Sequence, residues 1–107
     1  MTTQPSPGDR AREISEAIAE GMIPAHVYAD PEVFELERRN LFPRTWVFLA
    51  HTSEIPRPGD FVLRRIVDDS FIVARDDSGE IGVHLNMCLH RGMQVCRAEM
   101  GNTRQFR

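Results

Sequence analysis

No stretch of this 107-residue sequence stays apolar for more than a few residues. It therefore has no segment of the roughly 20 apolar residues that a bilayer-spanning helix needs. The opening Met1-Thr2-Thr3-Gln4-Pro5-Ser6-Pro7-Gly8-Asp9-Arg10 lacks the basic-then-apolar order of a secretory signal, so the expected location is the cytoplasm and no membrane partner is expected. Cysteine is scarce: only Cys88 and Cys96 occur, which excludes a disulfide framework. In a reducing compartment a thiol near a histidine points first to metal or redox work. Lysine is missing altogether. All thirteen basic residues are arginine, a bias that fits a GC-rich coding background better than selection for phosphate or carboxylate forks. Nor is there a surplus of positive charge: the net charge is −3 and the charges are scattered, so no basic stripe exists to neutralise phosphates and nucleic acid is excluded as a partner.

What is present is ordinary globular material, with 41% hydrophobic and 27% charged residues. A chain of this length fits one domain and can bury roughly two thirds of the surface its unfolded form exposes. Residues 1–9 carry little apolar side chain and read as a flexible leader. From Arg10 to Glu20, Ile14, Ala17 and Ile18 recur at helical spacing, and Gly21 is placed to stop the helix. Asp30-Pro31-Glu32 is a second helix start, with Asp30 as N-cap and Pro31 at the first helical position, running to about Asn40. Its Glu35, Glu37, Arg38 and Arg39 form a solvated face.

At Pro43 the period becomes extended. Thr45 to His51 reads as a strand covered on both faces, with Trp46 as a core aromatic. Phe61–Val67 and Ser70–Arg75 predict two further strands joined by a turn at Asp68-Asp69. Asp76-Asp77-Ser78-Gly79 predicts the next hairpin loop, and in Ile81–Asn86 residues 81, 83 and 85 alternate with 82, 84 and 86. The fold class is thus mostly β, an antiparallel β-domain from residue 44 preceded by two short helices in a helical segment over residues 10–43.

Cys88 and His90 follow the last strand at the start of a loop containing Gly92. Thiolate and imidazole together suit iron–sulfur, zinc or copper, and their spacing lets both side chains leave one side of an extended loop. A Rieske [2Fe-2S] centre holds one iron by two Cys thiolates and the other by two imidazoles, and two loops, each bringing one Cys and one His, supply that set. The remaining histidines, His26, His51 and His84, read as ordinary imidazoles, and Cys96 as a small buried apolar residue. The aspartates at 68, 69, 76 and 77 read as turn residues rather than acid–base pairs.

From about Ile23 to Arg107 the sequence resembles the N-terminal part of the α subunit of Rieske non-haem iron aromatic-ring-hydroxylating dioxygenases. The motifs that carry the likeness are Trp46-Val47-Phe48-Leu49-Ala50-His51-Thr52-Ser53-Glu54-Ile55-Pro56, Pro58-Gly59-Asp60-Phe61, Asn86-Met87-Cys88-Leu89-His90-Arg91-Gly92 and Ala98-Glu99-Met100-Gly101-Asn102, in that order. The family pattern is Cys-x-His, a gap about as long as residues 91–107, then Cys-x-x-His. The resemblance therefore implies that residues 44–107 are an incomplete Rieske domain in which Cys88 and His90 are two of four cluster ligands. The family usually has Arg where Leu89 stands, a position that is not a ligand. In an intact relative, the resemblance implies, electrons pass from a ferredoxin or reductase to the [2Fe-2S] cluster and on to a mononuclear Fe(II) in a C-terminal domain. There two His and one carboxylate hold the iron that activates O2 for cis-dihydroxylation of an aromatic ring, in an oligomer of α subunits with or without β subunits.

On this reading the 107-residue chain alone has no oxygenase activity. Lacking metal and later strands, it is expected to be marginally ordered from Cys88 onward. Two other functions fit less of the sequence. A stand-alone Rieske ferredoxin-like electron carrier has its cluster motif in mid-chain, without the helical residues that come first here. A non-catalytic β interaction module would be a partial β-domain that packs on other subunits with no metal, and visible absorption separates it from the carrier. A zinc site completed by borrowed ligands is a further use of the same two donors.

Overall fold

The first helix starts earlier than its composition suggests. The computed structural model describes residues 5–106, and in it α1 runs Pro7–Ala19. Ser6 Oγ accepts from the Asp9 N–H at 3.2 Å and the Ser6 N–H donates back to Asp9 Oδ2 at 3.2 Å, a capping box with Pro7 at the first helical position. Residues 7–9, assigned to the leader on composition, are therefore helical: local hydrogen bonds and a fixed φ order them, although no residue of α1 is buried. Of the rest of the expected leader, residues 1–4 lie outside the described residues, as does residue 107. The Gly21 and Met22 N–H groups return to the Ile18 and Ala17 carbonyls at 2.9 Å each, ending the helix where expected.

The second helix, α2, spans Pro31–Asn40, with Asp30 Oδ1 accepting from the Glu32 N–H at 2.9 Å. Arg10 ties the two helices together through Asp30 and through Glu32, 2.7 Å from Nε, and Val33 is buried. Glu35 accepts from Arg38 Nε at 2.9 Å and Arg39 Nε at 3.0 Å on an exposed face. These residues, up to Trp46, form one compact unit; a second begins at Val47.

The second unit is built on a four-stranded antiparallel sheet of β1 (Asp60–Ile66), β2 (Asp69–Arg75), β3 (Ile81–Leu85) and β4 (Met100–Asn102), in the order β3-β2-β1-β4. The register sets Val62 opposite Val73 on one face, and Phe61 opposite Ala74 and Leu63 opposite Ile72 on the other. Each face has its own cover. Ile55, with Leu49 and Ala50, packs on Val62 and Val73; Cys96 and Phe106 pack on Phe61 and Ile72. Val62 has no exposed surface.

Two expectations change here. Residues 45–51 pair with no strand among the described residues, and Trp46 stands fully exposed (103%) instead of in a core. Hydrophobic composition alone does not bury a segment; it needs an element over each face. From Leu49 to Ile55 the chain is held on the sheet by side chains, Arg64 Nε donating to the Leu49 carbonyl at 3.0 Å and Arg75 Nε to the Ile55 carbonyl at 2.7 Å. The β1–β2 turn falls one residue early, at Val67-Asp68, because Asp69 already pairs with Ile66. It places Val67 at φ 56°, a conformation that β-branched side chains rarely adopt. The chain after Cys88 returns to the sheet. The Leu63 N–H donates to the Glu99 carbonyl at 2.8 Å, the Thr103 N–H donates to the Gly59 carbonyl at 2.9 Å, and Phe106 meets Phe61 edge to face at 5.1 Å.

Candidate metal centre

β3 alternates as its sequence predicts, and this decides where the loop after it begins. Gly82 and His84 pair with Ala74 and Ile72, so His84 and, two residues on, Asn86 fall on the face that Cys96 covers. The Asn86 N–H donates to the Ser70 carbonyl at 2.8 Å, which anchors the loop root to β2. From there residues 88–93 form a narrow loop closed on itself. The Cys88 N–H donates to the Met93 carbonyl at 2.7 Å, and the Gly92 N–H donates to the Cys88 carbonyl at 2.7 Å. Gly92, at φ 67°, occupies the left-handed region that this reversal requires.

Cys88 therefore sits at the base of the loop, half-buried and with a free thiol, and His90 sits near its exposed tip beside Leu89, which is 97% exposed. Among the described residues neither the Cys88 thiol nor the His90 ring is engaged in a hydrogen bond or ion pair. The two expected donors thus share one short loop with their side chains uncommitted. Among the described residues no group of three or more His, Cys, Asp or Glu side chains comes together to hold a metal ion.

The other candidates are placed elsewhere. His51 is exposed and uses Nδ1 on Ser53, 2.8 Å from its Oγ, while its N–H donates to Glu54 at 2.8 Å. His84 lies with its ring over Gly82, where a Cβ would come within 2.9 Å of Nε2. His26, for which the sequence offered no partner, has Glu13 Oε1 4.0 Å from Nε2. Cys96 is buried, as a small apolar residue should be, with Sγ 3.5 Å from the Ala98 carbonyl. Asp76 is a turn residue: its Oδ1 accepts from the Ser78 hydroxyl at 2.6 Å and from the Ser78 and Glu80 N–H groups at 2.9 Å each. Those bonds, the Ser78 hydroxyl first, hold its carboxyl below the usual range.

The residue that sequence reasoning passed over is Asn86. It is the one buried polar side chain named among the described residues (4% exposed), although it occupies a polar position of the alternation. The signal available was its place at the end of a strand, two residues ahead of Cys88.

The profile of the Rieske [2Fe-2S] domain family matches residues 45–107, the unit that carries this loop. The chain belongs to that family. Over its whole length it is 43% identical to the N,N-dimethyl phenylurea N-demethylase subunit alpha of Sphingobium sp. (strain YBL2), and spans 23% of that protein. It is 38% identical to the biphenyl 2,3-dioxygenase subunit alpha of Rhodococcus jostii (strain RHA1) over 88% of its own length and 21% of the relative's. In structure it is similar to a naphthalene 1,2-dioxygenase from Rhodococcus sp., crystallised with indole, at a TM-score of 0.84 and 50% identity, covering all of this chain and 24% of that one. The Rieske chain thus spans about a quarter or less of the relatives it matches, and what it shares with these α subunits is their N-terminal Rieske part.

Proposed function

We propose that Cys88 and His90 each give one ligand to a Rieske [2Fe-2S] cluster, Cys88 to one iron and His90 to the other, within the α subunit of an oxygenase that acts on an aromatic substrate. The observation that carries this is the closed loop after β3, which presents one thiol and one imidazole, both uncommitted, inside the matched Rieske segment. This donor chemistry fits half of the cluster's protein ligands and no more; a second Cys and His complete the set. When bound, such a cluster supplies one-electron transfer at a potential raised by imidazole ligation. The chain's own part is to hold the Cys88 sulfur at the sheet end of the loop and the His90 ring toward solvent.

The whole-subunit activity that we assign is O2-dependent dihydroxylation of an aromatic ring. Reducing equivalents come from a ferredoxin or reductase partner, and a mononuclear Fe(II) is held by two His and one carboxylate outside the residues described here. Assembly into α-subunit oligomers, with or without β subunits, and a cytoplasmic setting belong to the same reading. No helix among the described residues is long and apolar enough to cross a membrane. Similarity over the full chain to an N-demethylase favours one second reading, oxidative N-demethylation of an N-methylated phenylurea, and product analysis on the whole α subunit separates the two.

Co(II) titration of the 107-residue chain tests the ligand assignment. A thiolate-to-metal charge-transfer band is expected, lost in Cys88→Ser, weakened in His90→Ala and unchanged in Cys96→Ser. Binding indifferent to Cys88 and His90 sinks the assignment. Purified chain supplied with dioxygen and reductant is expected to form no oxygenated product, and product formation overturns the division of labour proposed here.

A further inference from the structure

A primary amide has two N–H donors and an oxygen with two lone pairs, and Asn86 uses all four. Its Nδ2 donates to the Cys96 carbonyl at 2.8 Å and to the Ser70 hydroxyl at 3.2 Å; its Oδ1 accepts from the Cys96 N–H at 2.8 Å and the Val95 N–H at 3.1 Å. The Asn86 amide thus pairs with both backbone groups of Cys96, as one strand residue pairs with another. This clamp closes the chain from 86 to 96 outside the inner closure at Cys88, Gly92 and Met93, so the loop bearing Cys88 and His90 is closed twice, by its own backbone bonds and, outside them, by Asn86. The clamp is fixed to the rigid part of the sheet, since Ser70 on β2 receives the Nδ2 bond and also accepts the Asn86 backbone N–H. Asn86 is 4% exposed and its two bonds to Cys96 are buried, so losing the amide leaves buried backbone groups unpaired.

We infer that Asn86 is a positioning residue for the metal-donor loop: by clamping Cys96 it sets the place of Cys88 and His90 before any metal arrives. This rests on the reading that those two residues are metal donors. The physical advantage is preorganisation, because donors already in place cost less ordering entropy on binding. A buried amide that only stabilised the domain would act on the whole sheet, whereas a clamp acts on its loop.

The 107-residue chain and its Asn86→Ala variant separate these outcomes by amide hydrogen exchange and Co(II) titration. In Asn86→Ala the Val95 and Cys96 amides are expected to lose at least tenfold protection. The Val62 and Val73 amides should stay within threefold, and Co(II) affinity should fall at least fivefold. Ser70→Ala, which removes only the longest of the four bonds, is expected to leave Val95 and Cys96 within threefold. Should Asn86→Ala fail to fold, Asn86→Ser carries the same test, its hydroxyl being too short to bond both groups of Cys96. Unchanged exchange at Val95 and Cys96, or an equal loss across all amides, overturns the inference. The reading beneath it fails on a different signal, Co(II) binding that ignores Cys88→Ser and His90→Ala.

Discussion

Arg75 stands at the end of β2 and uses its guanidinium on backbone rather than on acid. Nε donates to the Ile55 carbonyl and NH1 to the Gly79 carbonyl, each at 2.7 Å. Ile55 is itself buried and packs on Val62 and Val73, so this carbonyl is the hydrogen-bonding anchor of a segment that has no ladder of its own. Arg75→Met keeps most of the aliphatic stem and deletes both bonds. A hydrogen bond to a charged group contributes about 1.5–3 kcal/mol. Arg75 is half-buried, so the lower end applies to each bond, and the expected cost is about 2–3 kcal/mol. At about 1.4 kcal/mol per decade this is a loss of roughly 30- to 150-fold in native-state protection of the β1–β2 amides. Native-state hydrogen exchange at Val62 and Val73 measures it. Because the acceptors are neutral carbonyls, the loss should be nearly the same at low salt and at 1 M salt, where an exposed ion pair would be screened to about a 3 Å Debye length. A cost below about 0.5 kcal/mol, or one that vanishes at high salt, refutes the view that guanidinium bonds to the backbone hold the Leu49–Ile55 segment on the sheet.

Other changes report on separate parts of the chain. Val67→Asn relieves a β-branched residue at φ 56° and should stabilise the β1–β2 hairpin by about 0.5–1.5 kcal/mol, read as a higher urea midpoint at unchanged slope. Gly101→Ala sets a methyl 3.0 Å from Phe61 Cε1 and Cζ, so the ring must shift against Phe106, and a cost of about 1–3 kcal/mol is expected by the same measurement. Arg38, aided by Arg39, holds the Glu35 carboxyl at about 2 against an ordinary 4.5. Its contribution to α2 is therefore complete above the unfolded value and is lost as pH falls through the folded one, so helical signal should decline between about pH 4.5 and 2 and Glu35→Gln should remove that part of the decline.

Much of the β-domain was legible because its strands announce themselves by period and its turns by side-chain chemistry. β1, β2 and β3 lie within a residue of their expected bounds, and the Asp76 loop forms for the reason its residues suggest. The helix at Pro31 was legible from three residues. The misread core positions share one cause: burial depends on what arrives from elsewhere in the chain. Trp46 and Phe48 look like core residues, yet among the described residues no element covers them. β4 is three residues long, too short to show a period, and exists because Phe61 and Val62 offer it a free edge. Ile81, Val83 and Leu85 alternate as a buried face should, and remain substantially exposed on an outer strand.

The candidate site divides along the same line. Cys88 and His90 are visible in sequence because metal chemistry restricts the residue types and a loop fixes their spacing. Asn86 is invisible for the opposite reason: in an alternating strand a polar residue at that position reads as solvent-facing, and only the return of Val95 and Cys96 across it turns an exposed amide into a buried clamp. The same return explains Cys96. A ligand set needs sulfur that can reach a metal, whereas this sulfur is packed with Phe61 and Ile72 and its backbone is bound on both sides by Asn86. Cys96 therefore meets Asn86 through its peptide groups, which any residue could supply, while its small side chain is what the contact with Phe61 and Ile72 accommodates. Two cysteines eight positions apart thus divide into a proposed donor with an uncommitted thiol and an anchor held through its backbone by Asn86.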